Sequence, residues 1–355
     1  MNLREPLHFI RKALSPRKTW NVAVAMTSYG LSRLTRRPFA WGVPPVLMIE
    51  PTNWCNLRCP LCPSGNGTLR RPRGFMDPAL FHRVVDQVRG RALMVLLWNQ
   101  GESFLHEDFL GLVRYAAAAG LYTMASTNGH FLRDPDAIVR SGLDSLIISI
   151  DGATEETYRQ YRVGGSFEKV IEGTKAVVAA KRRLRSRTPI IHFQLILFRH
   201  NEHELAAARA LAVSLGVDKV TYKTAQVYDP DEAARFLPGN EAFRRYDLDG
   251  DAFRLRLRAG VHAGPPVVPN RCRTLWLQPV VNWDGTVTPC CFDKSADFVM
   301  GRLSGDDGTL AEVWDGGRLN AFRRRVLTGR ARIDMCRNCT EGIRSTYAEQ
   351  DLPRA

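Results

Sequence analysis

The chain has 355 residues, a formal net charge of +14, and 45% apolar against 24% charged side chains. Such a balance excludes a disordered chain and leaves enough apolar surface for one large core or two modest ones. The positive excess lacks the basic face interleaved with exposed aromatics of a nucleic-acid reader, so no nucleic-acid partner is expected.

Residues 1–43 read as a basic, helical arm. Residues 1–40 carry Arg4, Arg11, Lys12, Arg17, Lys18, Arg33, Arg36 and Arg37 against Glu5 alone. The apolar stretch 20–34 is shorter than the roughly 20 residues a membrane span requires, and Asn21, Thr27, Ser28 and Gly30 interrupt it. No small-residue cleavage site follows it, so it is not a signal peptide. Two readings stand: a helix packed on the main domain, or an amphipathic helix on the inner face of an anionic membrane. A cytoplasmic protein is expected in either case.

From residue 44, apolar runs alternate with helical patterns. The spacing predicts strands at 46–50, 93–98, 122–126, 146–150, 190–198 and 219–224, with helices at 78–88, 108–119, 135–141, 167–185 and 202–215. Several helices end at glycine: Gly120, Gly142 and Gly216. The basic run Lys181, Arg182, Arg183, Arg185 and Arg187 reads as a solvated helix end. Strands separated by helices imply parallel βα units, with ligands at the C-terminal ends of the strands. The fold class is therefore α/β, a partial or complete barrel. Residues 229–264 read as an irregular connection. Beyond it come β runs at 275–281 and 286–288 around the hairpin signal Asn282-Trp283-Asp284-Gly285. A helix at 310–327 and a tail at 346–355 complete the chain.

The eight cysteines fall in two groups. With no export signal, clustered thiols point to metal rather than disulfides. Cys55, Cys59 and Cys62 sit on one short loop after the first strand and can ligate three corners of a 4Fe–4S cubane, which leaves one iron open. A zinc knuckle borrowing a histidine is the structural alternative. The second group, Cys272, Cys290, Cys336 and Cys339, spreads over the hairpin and the final helix.

CxxxCxxC after the first strand of a βα barrel resembles the radical S-adenosylmethionine superfamily, across residues 44–228. The resemblance implies a partial (β/α)6 TIM-like barrel whose open iron chelates S-adenosylmethionine. An electron then cleaves the sulfonium to give a 5′-deoxyadenosyl radical that abstracts hydrogen from substrate. Leu61 departs from the family's frequent aromatic. Gln100-Gly101-Glu102 is similar to the motif that holds the methionine ammonium, with Gln in place of the first glycine. Ser126, Asn128, Ser149 and Asp151, at the ends of the third and fourth strands, are implied contacts of the cofactor, and Arg162 matches a basic position nearby. An external one-electron reductant, such as flavodoxin or ferredoxin, is implied as well.

Residues 265–345 resemble the SPASM/twitch auxiliary-cluster domain, in its shorter single-cluster form. A small α+β domain holding a second 4Fe–4S cluster on Cys272, Cys290, Cys336 and Cys339 is therefore expected. Cys291 is the spare thiol, since neighbours on an extended chain point in opposite directions. An auxiliary cluster without an open site suits electron acceptance. The leading expectation is dehydrogenation of a small-molecule, sugar or lipid-linked substrate, because an arm of forty residues is short for a peptide-recognition domain. The alternatives are a peptide-modifying maturase forming C–C or C–S bonds, and, in another class, a non-catalytic electron carrier or zinc-stabilised interaction protein. Lys223, ending the last barrel strand, and Asp293, beside the auxiliary cysteines, are the candidate catalytic residues. His192 and His200 read as packing or turn residues.

Overall fold

The computed structural model describes residues 4–249, 254–257, 268–303, 308–337, 339 and 347–351. Two helices come first, α1 (Arg4–Ala13) and α2 (Pro16–Thr35). The Ser15 side chain caps α2 by accepting from the Lys18 N–H, with Pro16 in the first turn, where a missing N–H costs nothing.

The βα units follow in chain order. They are β1 (Val46–Ile49) with α3 (Pro63–Asn66) and α4 (Pro78–Val88), then β2 (Met94–Leu97) with α5 (Phe109–Ala118). Next come β3 (Tyr122–Thr127) with α6 (Pro135–Arg140), and β4 (Ser145–Ser149) with α7 (Glu155–Tyr161) and α8 (Phe167–Arg183). The series ends with β5 (Ile190–Leu197), α9 (Leu205–Leu215) and β6 (Lys219–Thr224). The C-terminal part contains α10 (Pro230–Phe236), β7 (Tyr246–Asp249), β8 (Arg254–Leu257), β9 (Val280–Val281) and β10 (Thr286–Thr288). It closes with β11 (Gly301–Arg302), α11 (Leu310–Trp314), α12 (Gly317–Gly329), α13 (Asp334–Arg337) and β12 (Tyr347–Asp351).

Strands β1 to β6 are parallel and each lies beside its chain neighbour. That sequential order is barrel topology, since right-handed crossovers then put every helix on one face. The residues obey the pleat. Leu47 and Ile49 of β1 face outward, into the main core with Phe81, Val84 and Leu112 of the covering helices. Met48 faces inward and meets Leu96, Met124 and Val280 in a smaller interior cluster.

The C-terminal part closes both open edges of this half-barrel. On one side β9 pairs parallel with β1, and β10 returns antiparallel as a hairpin. On the other, β12 pairs antiparallel with β6 along its whole length. An uncovered parallel edge would present a row of unpaired backbone groups.

Four sequence expectations change here. The stretch read as a tail contains β12, whose pairing with β6 is a long-range contact that no local pattern encodes. The stretch read as an irregular connection contains α10 and the β7–β8 hairpin. Asp229-Pro230 is the N-cap and first residue of α10, and the Asp229 carboxylate accepts from the Glu232 N–H. The run 275–281 supplies strand only at its end, because a 3-10 turn at Arg273–Trp276 and then Pro279 interrupt it. The helix expected at 310–327 is two helices, broken at Asp315-Gly316. Among the described residues no helix is long and apolar enough to cross a membrane.

Candidate active site and auxiliary cysteine site

The first cysteine loop leaves the C-terminal end of β1 and closes on itself. Its backbone turns through the Cys62 N–H bond to the Cys59 carbonyl, 3.1 Å, and is tied to the turn after α7 by Arg58 N–H to the Val163 carbonyl, 2.8 Å. Leu57 and Leu61 of the loop pack with Tyr161, Phe198 and Phe236, an apolar wall that Cys55, Cys59 and Cys62 also touch. Burial in this wall pushes the Cys55 thiol up to about 11 and Cys59 up to about 12. A bare thiolate is disfavoured there, whereas iron ligation would neutralise it, so the donor set fits a cluster. No disulfide joins any of the eight cysteines. Among the described residues no three His, Cys, Asp or Glu side chains surround the position of one metal ion.

Glu102 is fully buried beside this loop and bridges two strand ends. Its carboxylate accepts from Thr127 Oγ1 at 2.7 Å, from the Asn128 N–H at 2.6 Å and from the Phe104 N–H at 3.1 Å. Burial raises its pKa, and those three donors oppose the shift. A carboxylate has about four acceptor positions, so three internal bonds leave one for a ligand. The Asn128 side chain in turn donates to Asn56 Oδ1, 2.7 Å, and lies 3.9 Å from Cys55 Sγ. Gly101, at φ +78°, must be glycine: a Cβ would fall 2.6 Å from the carbonyl oxygens of Thr52 and Trp54. The Gln100 amide oxygen faces Ser64 Oγ, 3.3 Å, and Cys62 Sγ, 4.0 Å.

Asp151 and Arg162 form a buried ion pair at 2.6 Å. Asp151 also accepts from the Ile196 N–H at 2.7 Å, which ties the end of β4 to β5. Desolvation works against the Arg162 charge, but Asp151 and the Cys59 thiol outweigh it and raise its pKa. Ser126 lies on β3 one pleat along from inward-facing Met124, and Ser149 pairs in register with Gln194. The expected residues thus divide into two groups around the loop: Gln100, Glu102 and Asn128 beside Cys55 and Cys62, and Asp151 with Arg162 beside Cys59.

The second group gathers across the C-terminal part. Cys272, Cys336 and Cys339 are buried. Burial holds the Cys290 thiol well above its usual range, and the nearby thiols of Cys291, Cys339, Cys272 and Cys336 push the same way. Four residues far apart in sequence are therefore close enough to repel as thiolates, which is the chemistry a cluster resolves. Arg330 is buried beneath them; its guanidinium donates to the carbonyls of Arg271 and Cys339, so one side chain grips the backbone at both ends of the set. Cys291 faces the other way, against the interior cluster of Met48, Leu96 and Val280.

Of the two candidate catalytic residues, Lys223 sits on β6 between its register partners Ile196 and Tyr347. Asp293 is buried, and its two oxygens accept from the N–H groups of Asp297 and Phe298, each at 2.8 Å. Those bonds make Asp293 the builder of the 293–298 turn.

One constellation escaped the sequence reading. Glu50, fully buried at the end of β1, takes both guanidinium nitrogens of Arg71 and also the Asn99 side chain and the Gln100 N–H, the latter two at 3.1 Å. Arg71 donates on to the Lys294 carbonyl, 2.7 Å, and Asn99 to Asn282, 3.3 Å, so this network joins the barrel to the auxiliary region. Lys294 reaches back to Tyr228 Oη, 2.7 Å. A charge ending an apolar run was the available signal for Glu50.

The sequence matches the radical SAM superfamily over residues 49–212 and an iron–sulfur cluster-binding domain, SPASM, over residues 272–340. It is 30% identical over 297 residues to the PqqA peptide cyclase of Ruegeria pomeroyi, covering 79% of this chain and 76% of that one. In fold it is similar to Streptococcus suis SuiB bound to S-adenosylmethionine, with TM-score 0.58, 14% identity, and 79% and 68% of the two chains covered. It is similar also to BtrN in complex with AdoMet and 2-DOIA, with TM-score 0.52, 18% identity, and 84% and 94% covered. These two likenesses concern the fold alone. The expectation of small-molecule dehydrogenation is overturned, because relatives matched along most of the chain, those of Ruegeria pomeroyi and Xanthomonas campestris, are named PqqA peptide cyclase. The chain belongs to the radical SAM superfamily, in the branch with a C-terminal SPASM domain, and its cofactors are iron–sulfur clusters and S-adenosylmethionine.

Proposed function

We propose that this protein is a peptide-modifying radical maturase that forms a covalent bond within a peptide substrate. The observation that carries the reading is the match, across 79% of the chain, to a relative named for cyclising a peptide. Residues 44–228 form the radical core and 265–345 the auxiliary domain. In this reading Cys55, Cys59 and Cys62 hold the first 4Fe–4S cluster, and Cys272, Cys290, Cys336 and Cys339 hold the auxiliary one.

When bound, the cluster that Cys55, Cys59 and Cys62 would hold, together with S-adenosylmethionine, would supply a radical able to remove one hydrogen atom from the peptide, and the auxiliary cluster would supply an acceptor for the electron released as the second hydrogen leaves as a proton. Glu102, fixed by Thr127, Asn128 and Phe104, keeps one acceptor position for an ammonium, where a charge-assisted bond in a closed pocket is strong. Gln100, Ser126, Asn128 and Ser149 line the adjoining strand ends as cofactor contacts. Asp151 and Arg162 hold the β4 and β5 ends against the cysteine loop and keep a positive charge beside Cys59. The apolar wall of Leu57, Leu61, Tyr161 and Phe198 excludes water from the loop. The electron source is an external one-electron carrier of the flavodoxin or ferredoxin type.

Anaerobic reconstitution should yield about eight irons per chain and reductive cleavage of S-adenosylmethionine. Incubation with short peptides encoded near the gene should then yield one that loses the mass of two hydrogens, with a cross-link located by fragmentation. Cofactor cleavage coupled to oxidation of alcohols or sugars, with every peptide unchanged, would refute the assignment.

A further inference from the structure

The two N-terminal helices have an inner and an outer side with opposite chemistry. On the inner side they close the N-terminal rim of the barrel. Glu5 pairs with Lys219 and lies 3.5 Å from His192, at the starts of β6 and β5. His8 Nε2 is 2.6 Å from the Asp144 carboxylate just before β4, and Lys12 pairs with the same group. Lys18 donates to the Gly120 carbonyl before β3, and Asn21 donates to the Val43 and Arg91 carbonyls before β1 and β2. Every one of these contacts lies at the rim opposite the cysteine loop.

The outer side is apolar and cationic. Leu7 and Ile10 on α1 and Leu14 just after it are exposed; on α2 so are Trp20, 71% exposed, Leu31 and Leu34, 81% exposed. Where the helices meet, an open groove is lined by Ile10, Leu14, Pro16, Thr19, Trp20 and Ala23. Exposed Arg11, Arg17, Arg33 and Arg37 surround the stripe, and the single acid of residues 1–40, Glu5, is turned inward to Lys219. Scattered exposed leucines need no explanation, but a stripe rimmed by cations with no outward acid does. Neither helix can span a bilayer. Leucine and tryptophan on one face with arginine at its margins suit the headgroup boundary, where lipid phosphates pair with the guanidiniums.

We propose that residues 4–37 dock this protein, lying in plane, on the surface of an anionic lipid bilayer. The rim contacts then fix its orientation: the cysteine loop faces away from the membrane. The arm locates the enzyme and does not feed it a lipid-linked substrate. This inference stands apart from the peptide reading and survives its failure.

The test is co-sedimentation of the full-length, cluster-loaded protein with vesicles of phosphatidylcholine alone or mixed with phosphatidylglycerol. The wild type should bind the anionic vesicles, bind neutral ones weakly, and lose affinity as salt rises. Trp20→Ser with Leu34→Ser, and separately Arg11→Gln with Arg33→Gln and Arg37→Gln, should each weaken anionic binding by about tenfold or more, with iron content and S-adenosylmethionine cleavage unchanged. Failure of the wild type to bind anionic vesicles, or equal binding by both variants, would overturn the proposal. So would a wild-type dimer in light scattering that Trp20→Ser with Leu34→Ser abolishes, since the stripe would then be a contact between copies.

Discussion

Glu50 shows how much of this site depends on one buried carboxylate outside the cysteine loop. It neutralises Arg71, orients Asn99 and fixes the Gln100 backbone beside the cysteine loop. The side chains are 0% and 9% exposed, so the pair is screened little by solvent. Removing one charge of a buried pair strands the other, and Glu50→Gln should lower unfolding stability by about 3 kcal/mol, read from urea denaturation. Loss of less than about 1 kcal/mol would place the Arg71 charge in contact with water. Such partnerships are hard to see in a sequence because Glu50 and Arg71 belong to different loops. The cysteines, by contrast, announced themselves through residue type and spacing.

At the scale of elements, local signals worked where local physics decides. Glycine marked helix ends, and apolar runs alternating with helical patterns marked β1 to β6. They failed where a distant partner decides: β12 is a strand because β6 offers an edge, and 275–281 is mostly not one because Pro279 and a 3-10 turn interrupt it. The arm illustrates the same division, with its helices legible and its seat on the barrel rim not. That seat makes Asp144 a joint between α1 and β3, since it also accepts from the Thr123 N–H at 2.7 Å. Asp144→Asn removes the charge that His8 and Lys12 share. It should cost about 2 kcal/mol and speed hydrogen exchange in residues 4–13, while an unchanged exchange rate there would mean that α1 is held by apolar contacts alone.

For the whole molecule, the decisive arrangement is the return of the C-terminal part onto both edges of the half-barrel. Cys336→Ser should lower iron from about eight to about four atoms per chain and leave S-adenosylmethionine cleavage in place. If the first cluster were lost as well, the two centres would fold as one unit. By itself the sequence determined the order of the βα units and the superfamily, because each depends on residue identity at short spacing. Only the tertiary structure decided that Cys290 lies near three thiols distant in sequence and that Glu50 anchors Arg71. It alone put the basic arm at the rim opposite the cysteine loop. These are contacts between residues tens to hundreds of positions apart, set by how the sheet closes, and short-range propensity does not reach that far.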